Sequence, residues 1–398
     1  KQMEKRVTLR SLTKRGRSCA YSEFFFGACV GAWSISLNFH LTACGVSSAQ
    51  IGVLLCVGYL ATAATSFFIG NVGDRKGYPF EMALGCALMC ASLIMTVIFD
   101  RLPLFYISHL TYCIGLACVM SMEFNLPLSL AEENTRQYTY NLVLIMYFLG
   151  GIVGNTLCSA VYRIVKNEPY RVVLGLCAII YAALAVFRGT MPRRQQRTED
   201  VKRAWDIRNE LRDKRVLGYL LYGVLAFDVF TLSTGMLNLV LREWRGVTDS
   251  AVSTVFAANS FIGCLTLLAL PKITQWAKLS SIARLALTVQ CVALLLITIA
   301  PTPLIVFLLF CRTVSCNMLY TAADAPMLRS IPQDKRGTYA GLRVFANHIG
   351  MSAASMLSGL FVDRGQFVLL YLTCWFLALA QGIVYCVFCR GNLKALDE

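Results

Sequence analysis

The sequence predicts an all-α membrane protein with twelve transmembrane helices in two pseudo-symmetric six-helix bundles. Of its 398 residues, 57% are hydrophobic and 15% are charged, whereas soluble proteins carry about 25% charged residues. Apolar runs that approach the roughly 20 residues needed to cross a bilayer as a helix recur along the chain. One long basic segment, residues 189–215, divides these runs six and six.

The predicted spans are the apolar runs themselves, and Pro301 and Pro303 separate the ninth from the tenth because proline interrupts helical hydrogen bonding. They cover residues 20–42, 50–70, 80–99, 103–126, 138–162, 170–188, 216–240, 249–271, 282–300, 302–325, 337–362 and 366–389. The predicted domains are a basic cytoplasmic tail (1–19), an N-terminal six-helix bundle (20–188), a cytoplasmic linker (189–215), a C-terminal six-helix bundle (216–390) and a cytoplasmic tail (391–398).

Most of the 37 Lys and Arg residues fall in the two tails and in alternate loops on the same side as the tails. The positive-inside rule therefore predicts a multi-pass protein of the cell membrane with both termini in the cytoplasm. The net charge of +15 then reflects topology and anionic lipid, and no nucleic-acid partner is predicted. The numbering starts at Lys1, which we expect to lie inside a longer chain, and no cleavable signal peptide is expected.

The cysteine and histidine patterns indicate neither a redox centre, a metal site nor a cofactor. The 17 cysteines are scattered along the spans, where buried cysteine packs as a small apolar residue. Cys386 and Cys389 form a lone C-x-x-C without a second pair. None of the three histidines has an aspartate five residues on, which disfavours a membrane-embedded acyltransferase, and no phosphate-binding G-x-x-x-x-G-K-[ST] occurs. We therefore predict a protein that is not an enzyme.

The two halves resemble each other after the fourth and tenth spans. The stretches "NLPLSLAEENTRQYTY" and "DAPMLRSIPQDKRGTYA" align Asn125-x-Pro127 with Asp324-x-Pro326 and Arg136 with Arg336. Together with the six-plus-six count, this match favours an internal duplication. Many transporters use such repeats to place one site between two halves.

The segment between the second and third spans carries a compact charged motif, Gly70-x-x-x-Asp74-Arg75-x-Gly77. It resembles the G-x-x-x-D-R-x-G-R-[KR] signature of the major facilitator superfamily, and the preceding "LTACGVSSAQIGVLLCVGYL" resembles the same family's first periplasmic turn and second helix. The resemblance implies two bundles that rock about a central cavity. It also implies a conformational latch formed by Gly70, Asp74, Arg75 and Gly77.

In the implied latch, Asp74 would cap the start of span eleven when the cytoplasmic side is shut, and Arg75 would pair with a nearby carboxylate. A carboxylate at a helix N-terminus gains about 0.3–1 kcal/mol. Gly70 would allow two helices to approach closely, and Gly77 would allow a turn that strains other residues. The alternative is an ordinary positively charged loop.

The sequence also departs from the family pattern. Tyr78 and Pro79 replace the final basic pair. By the same resemblance, drug exporters often carry an arginine in span four and a Gly-Pro pair in span five. Here span four has no arginine, and Asn155 follows Gly154. These differences disfavour a drug–proton antiporter of the usual kind.

Two opposite charges fall near the middle of spans seven and ten, Asp228 and Arg312. Such a group costs about 2.5–3.5 kcal/mol in the bilayer and normally faces a partner or a wet cavity. By the resemblance, spans one, four, seven and ten line the cavity, so we predict that Asp228 and Arg312 are close, either paired directly or across a substrate. A purely structural ion pair is the alternative. Further polar candidates for the cavity are Glu23, Asn38, Asn238, Arg343 and Asn347.

The predicted function is secondary active transport of a small organic solute by alternating access, coupled to protons, with Asp228 as the first candidate for the proton site. The aromatic residues Trp33, Tyr59, Tyr147 and Tyr222 favour efflux of small amphipathic molecules. The alternative is proton-coupled uptake of a sugar, nucleoside or similar metabolite, favoured by the asparagines and by the Asp228–Arg312 pair. A non-transporting sensor is disfavoured by the short tails. We expect a monomer whose partners are the solute, protons and the lipid bilayer.

Overall fold

A computed structural model describes residues 12–123, 126–127, 130–131, 135–192, 213–331 and 336–389. Within these ranges the chain is helical and contains no strand, which confirms the all-α prediction. Twelve helices in the described ranges have 18 residues or more. They are α1 (Lys14–Ala43), α2 (Ser48–Lys76), α3 (Tyr78–Ile98), α4 (Leu102–Met122), α5 (Arg136–Ile164), α6 (Pro169–Gly189), α7 (Lys214–Thr234), α8 (Asp249–Trp276), α9 (Leu279–Ile297), α10 (Thr302–Leu319), α11 (Arg336–Asp363) and α12 (Phe367–Val384).

Eleven of the helices in the described ranges are long and apolar enough to cross a membrane. The helix that is not among them is α11, which is 28 residues long but carries Arg343, Asn347 and His348 in its middle. Its length still suits a span, because 28 residues of helix extend about 42 Å. Polar residues inside a long helix of a membrane protein indicate a surface that faces protein or water rather than lipid.

Several helix starts follow from local sequence. The Thr248 hydroxyl accepts a hydrogen bond from the backbone N–H of Ala251 at the start of α8. The Asp213 carboxylate accepts one from the N–H of Arg215 at the start of α7, at 2.9 Å. Such N-caps satisfy amide groups that the helix leaves unpaired. Helices α3, α4, α6 and α10 instead carry proline in their first turn, where no amide hydrogen is needed.

Two predicted spans are interrupted. The helix α7 ends at Thr234, and a short helix, Leu237–Arg245, follows after Gly235 and Met236. The Ser233 hydroxyl donates to the Val229 carbonyl, and such bonds together with a glycine weaken a helix at that point. The end of span ten is a π-helical turn, Tyr320–Asp324, followed by the short helix Ala325–Ser330. The proline at position 326 cannot complete an α-helical hydrogen bond, which accounts for the widened turn before it.

The sequence predicts a loop between spans two and three, and this prediction is wrong because most of the segment is helical. The helix α2 continues through Lys76, so the charged motif forms its last turns and only Gly77 separates it from α3. A helix can run past the apolar core of a bilayer because charged side chains are solvated there. Gly77 has φ 92° and ψ 145°, a backbone conformation that is essentially restricted to glycine.

The chain forms two compact units. The first unit contains the described residues of Lys1–His40 and Ala64–Val201. Its core includes many sulfur-containing and aromatic side chains, and Cys29 and Cys177 each donate a thiol hydrogen bond to the other's backbone carbonyl at 3.9 and 3.8 Å. All 17 cysteines are free thiols, and most are buried, as the packing interpretation requires. Helices α1 and α5 touch backbone to backbone, since a Cβ on Gly150 would lie 1.9 Å from the Phe24 carbonyl oxygen.

The second unit contains Leu41–Ala63 and the described residues of Lys202–Glu398. Its core is formed by α7 with α9, α10, α11 and α12, and includes the buried tyrosines Tyr219, Tyr222 and Tyr385. The part of α2 before position 64, called its outer part below, belongs to this unit. The division into two six-helix bundles at 189–215 stays a prediction, and most of that linker lies outside the described residues.

Candidate functional site

An ion pair is buried in the first unit. The Arg188 guanidinium, at the end of α6, donates from Nη2 to Glu23 Oε1 on α1 at 2.6 Å, and both side chains are fully buried. Nη1 of Arg188 also donates to Cys86 Sγ at 3.4 Å, and its guanidinium lies 5.0 Å from the centre of the Phe26 ring. Glu23 was a sequence candidate. Arg188 was not, because it falls at the predicted edge of span six and resembles an ordinary positively charged loop residue.

A second acid lies near this pair. The Glu123 carboxylate, just after α4, is buried and interacts electrostatically with both Glu23 and Arg188. Glu23 alone is ion-paired to the guanidinium, whereas Glu123 lies near enough to interact with it electrostatically. Glu23 Oε2 has no hydrogen-bond partner among the described residues. This arrangement fixes three elements, α1, the end of α4 and α6, around one charged centre.

An aromatic stack occupies another part of the first unit. The Trp33 indole lies on the Tyr112 ring with centroids 4.0 Å apart and on His109 at 6.0 Å. The Tyr112 and Tyr181 hydroxyls are 3.0 Å apart. Trp33 is half-buried and Asn38 is buried on the same helix. The sequence indicated Trp33 and Asn38, but the tyrosine and histidine partners could be found only from the packing.

In the second unit, Asp228 and Arg312 do not form a direct ion pair, which is one of the two arrangements that the sequence predicts. The Asp228 Oδ1 atom and the Arg312 Nε and Nη2 atoms are buried without hydrogen-bond partners among the described residues. A Cβ on Gly350 of α11 would lie 2.4 Å from Asp228 Oδ1, so Asp228 faces α11. The Arg312 guanidinium instead lies 5.4 Å from the centre of the Phe230 ring.

The register of α7 explains this result. Positions 228 and 230 are two residues apart, and such side chains point in nearly opposite directions on a helix, roughly 200° apart. The two predicted partners therefore lie toward different faces of the same helix. Their pairing across a substrate stays a prediction.

Two other polar candidates of the second unit, Arg343 and Asn347, lie where α11 meets α7. Arg343 Nη2 is 3.0 Å from Asp324 Oδ1. A Cβ on Gly223 of α7 would meet Asn347 Oδ1 at 2.9 Å and Arg343 Nε at 3.7 Å. Asn238 is buried in the short helix that follows α7. The sequence candidates Arg343 and Asn347 on α11 are thus directed at α7.

A cavity of about 200 Å³ lies between α7, α9, α10 and α12. Polar groups on its wall include Gln290, Asn317, Asp324 and Gln381, and aromatic groups include Tyr222 and Phe230. Nε2 of Gln290 donates to Oε1 of Gln381 at 3.0 Å. Sequence reasoning missed this amide pair, although an isolated glutamine in an apolar span is itself a signal, since an unpaired amide in lipid is costly.

The outer part of α2 packs tightly against α11 within the second unit. A Cβ on Gly52 would lie 2.8 Å from the Gly359 Cα, and a Cβ on Gly359 would lie 2.7 Å from the Gly52 Cα. The Asp363 carboxylate, at the end of α11, accepts a hydrogen bond from the N–H of Ala49 at 3.3 Å. This carboxylate caps the start of α2, where the helix dipole favours negative charge.

The predicted latch lies mostly outside the described side chains. The backbone of Gly70, Asp74 and Arg75 is helical, but their side-chain surroundings are not among the described residues. Of the four latch residues, only Gly77 is described in full, with the backbone geometry given above. The latch therefore stays a prediction.

Comparisons with known proteins give a family and a fold. A family model described as the Major Facilitator Superfamily matches residues 20–355. No curated protein sequence matches the chain. Similar solved structures include a point mutant of the nucleoside transporter NupG, with a TM-score of 0.81 at 13% identity, covering 94% of this chain and 100% of that one.

Two further structures are similar over nearly their whole length. A D-xylose-proton symporter has a TM-score of 0.73 at 14% identity, covering 94% of this chain and 97% of its own. A bacterial homologue of the human lysosomal transporter Spinster, inward-facing and occupied, has a TM-score of 0.72 at 12% identity, covering 96% and 97%. At such low identities, these likenesses show a shared fold.

Proposed function

We propose, from the premise that the chain belongs to the major facilitator superfamily, that it is a proton-coupled secondary active transporter of a small organic solute. The chain is a multi-pass membrane transporter rather than an enzyme. The proposed mechanism is alternating access, and the proposed direction is efflux.

The observation that carries proton coupling is the isolation of Asp228. Among the acids Glu23, Asp228 and Asp324, the first and the last are each bound to an arginine. Asp228 has no ion-pair or hydrogen-bond partner among the described residues, and its Oδ1 atom is buried against α11. A carboxylate in this setting can gain and lose a proton without first breaking an ion pair. Because it packs on Gly350, a change in its charge acts directly on the contact between α7 and α11.

The aromatic surface in the first unit supports an amphipathic solute, because stacked rings offer apolar area with polar edges. One observation favours the alternative, proton-coupled uptake of a sugar, a nucleoside or a similar metabolite. The cavity of the second unit carries Gln290, Asn317 and Gln381 on its wall, and such amides match the hydroxyl groups of those solutes. Two of the similar structures are also named for nucleoside and xylose transport.

We further propose where the protein opens and closes. The cytoplasmic latch is formed by Gly70, Asp74, Arg75 and Gly77, supported by the sequence motif and by the glycine-only backbone of Gly77. At the opposite end, the contact of α2 with α11 at Gly52 and Gly359 is the extracytoplasmic gate. The proposal also includes two six-helix bundles, a monomeric state and a cell-membrane location. The distribution of Lys and Arg supports cytoplasmic termini.

The sign of a proton flux tests this function. The purified protein is reconstituted in liposomes that contain a pH-sensitive dye, with equal pH on both sides, and ethidium, uridine or xylose is added outside. A proton antiporter that carries the solute inward makes the interior alkaline, and a symporter makes it acidic. Solute entry with no pH change in either direction would overturn proton coupling.

Two variants locate the coupling site in the same assay. Asp228→Asn is expected to abolish the pH change while the protein still binds solute. The matched control is Asp249→Asn, which removes an acid at the start of α8 that lies 3.9 Å from Arg242. Retention of full proton flux in Asp228→Asn would exclude Asp228 as the proton site.

A further inference from the structure

Arg312 is a buried cation without a counter-ion. Only 2% of its surface is exposed, and no hydrogen bond or ion pair joins it to any described residue. A guanidinium stays protonated under all physiological conditions, so it cannot avoid this situation by losing its charge. A buried unpaired charge is strongly unfavourable, and an anion that binds beside Arg312 would supply the missing partner.

We propose that Arg312, together with Tyr371 and Arg245, binds the anionic group of the transported solute, a carboxylate or a phosphate. This inference rests on the proposed function, because the transported solute is the occupant. It assigns the solute to the class of organic anions.

The surroundings of Arg312 suit an anion. Tyr371, on α12, is buried, and its hydroxyl has no hydrogen-bond partner in the part of the chain that the structure describes. Tyr371 lies within electrostatic range of both Arg312 and Arg245. Nε of Arg245 is also buried and has no hydrogen-bond partner within the described ranges. Trp244 stacks on Tyr371 with ring centroids 5.9 Å apart, which fixes the phenol ring beside these cations. Two guanidinium groups and one hydroxyl thus leave donors unused in the same part of the second unit.

The acids of the second unit do not neutralise this group. Asp324 is bound to Arg343, and Asp228 faces Gly350 on the other side of α7. Glu243 and Asp249 both lie within 3.9 Å of Arg242. The negative charge that Arg312 lacks is therefore not supplied by the described acids of its own unit.

Arg312 lies next to residues of the cavity wall. Phe230, which lies under the guanidinium, is also on the cavity wall. Cys316, one helical turn after Arg312 on the same face of α10, is on that wall as well. A solute can therefore hold its anionic group at Arg312 and its body in the cavity of about 200 Å³, beside Tyr222 and Phe227.

The first test needs no ligand. Arg312→Met removes a charge that has no partner, so the melting temperature of the purified protein is expected to rise. The matched control is Arg188→Met, which breaks the buried pair with Glu23 and is expected to lower the melting temperature. If Arg312→Met lowers the melting temperature as Arg188→Met does, Arg312 has a structural partner and the inference is overturned.

The second test uses three small aromatic probes: benzenesulfonate, its neutral isostere benzenesulfonamide and the cation benzyltrimethylammonium. Benzenesulfonate alone is expected to stabilise the protein at constant ionic strength. In Arg312→Gln its apparent affinity is expected to fall about tenfold or more, whereas Arg242→Gln should bind it as the parent does. Equal stabilisation by the sulfonamide, or stabilisation only by added anionic lipid, would overturn the inference.

Flux measurements separate this inference from the proposed function. Benzenesulfonate binding that depends on Arg312, without proton flux for any solute, would retain the anion site and reject proton-coupled transport. Proton flux driven only by neutral or cationic solutes, unchanged in Arg312→Gln, would retain transport and reject the anion site.

Discussion

The contact of α2 with α11 provides a quantitative test of the proposed gate. In Gly52→Ala, the new Cβ would lie 2.8 Å from the Gly359 Cα and 2.8 Å from the Ser355 carbonyl oxygen, whereas ordinary contacts are 3.4–4 Å. The two helices must therefore separate by about 1 Å, because backbone atoms cannot rotate away as a flexible side chain can. Such overpacking costs about 1–3 kcal/mol. The ratio of closed to open gate is then expected to fall about 5- to 150-fold.

Hydrogen–deuterium exchange measures this shift without a known solute. In Gly52→Ala, the amides at the start of α2 are expected to exchange faster, since Ala49 loses its bond to the Asp363 carboxylate as the helices part. The control is Gly382→Ala on α12, where a Cβ meets no atom within 4 Å. Unchanged exchange in Gly52→Ala, or equal acceleration in the control, would refute the gate.

Three other predictions follow from single contacts. Glu23→Gln is expected to destabilise the protein by about 3–5 kcal/mol, because the buried Arg188 loses its ion-paired carboxylate. Glu23→Gln combined with Arg188→Met should recover part of this loss in thermal unfolding, and a double variant less stable than both singles would contradict the pairing. In Gly350→Ala, the new Cβ would lie 2.4 Å from Asp228 Oδ1. This variant is expected to reduce proton flux in liposomes while its circular dichroism spectrum shows an intact fold. Undiminished flux would show that Asp228 does not act through α11. Gly77→Ala is expected to lower stability by about 1–2 kcal/mol through its φ of 92°, and a melting temperature equal to that of the parent would exclude backbone strain at this turn.

The helices were predictable because few backbone structures are stable within a lipid bilayer. A chain that must satisfy its backbone hydrogen bonds within lipid forms helices wherever the apolar run is long enough. Helix ends were less predictable. The continuation of α2 to Lys76 depends on helix hydrogen bonding at the membrane surface, and the break at Gly235 depends on local competition that hydropathy does not measure.

The pairings within the site could not be predicted from composition. Arg188 lies 165 residues from Glu23, and a single sequence does not show which distant residues meet. A direct ion pair between Asp228 and Arg312, one of the two expected arrangements, is not formed because the two residues lie toward different faces of α7. Depth in the membrane follows from position along the span, whereas the facing partner depends on how each helix is turned in the packed unit.

The separation of Glu23 from Arg188 also constrains how the protein is made. The first helix leaves the ribosome with its carboxylate long before the sixth helix exists, because the two partners are 165 residues apart in the chain. At translation rates of about 5–20 residues per second, Glu23 is synthesised roughly 10–30 s before its counter-ion Arg188. During that interval the insertion machinery must shelter α1 or hold it near water. Variants that remove Arg188 are therefore expected to fail first in biogenesis, as poorly inserted nascent chains.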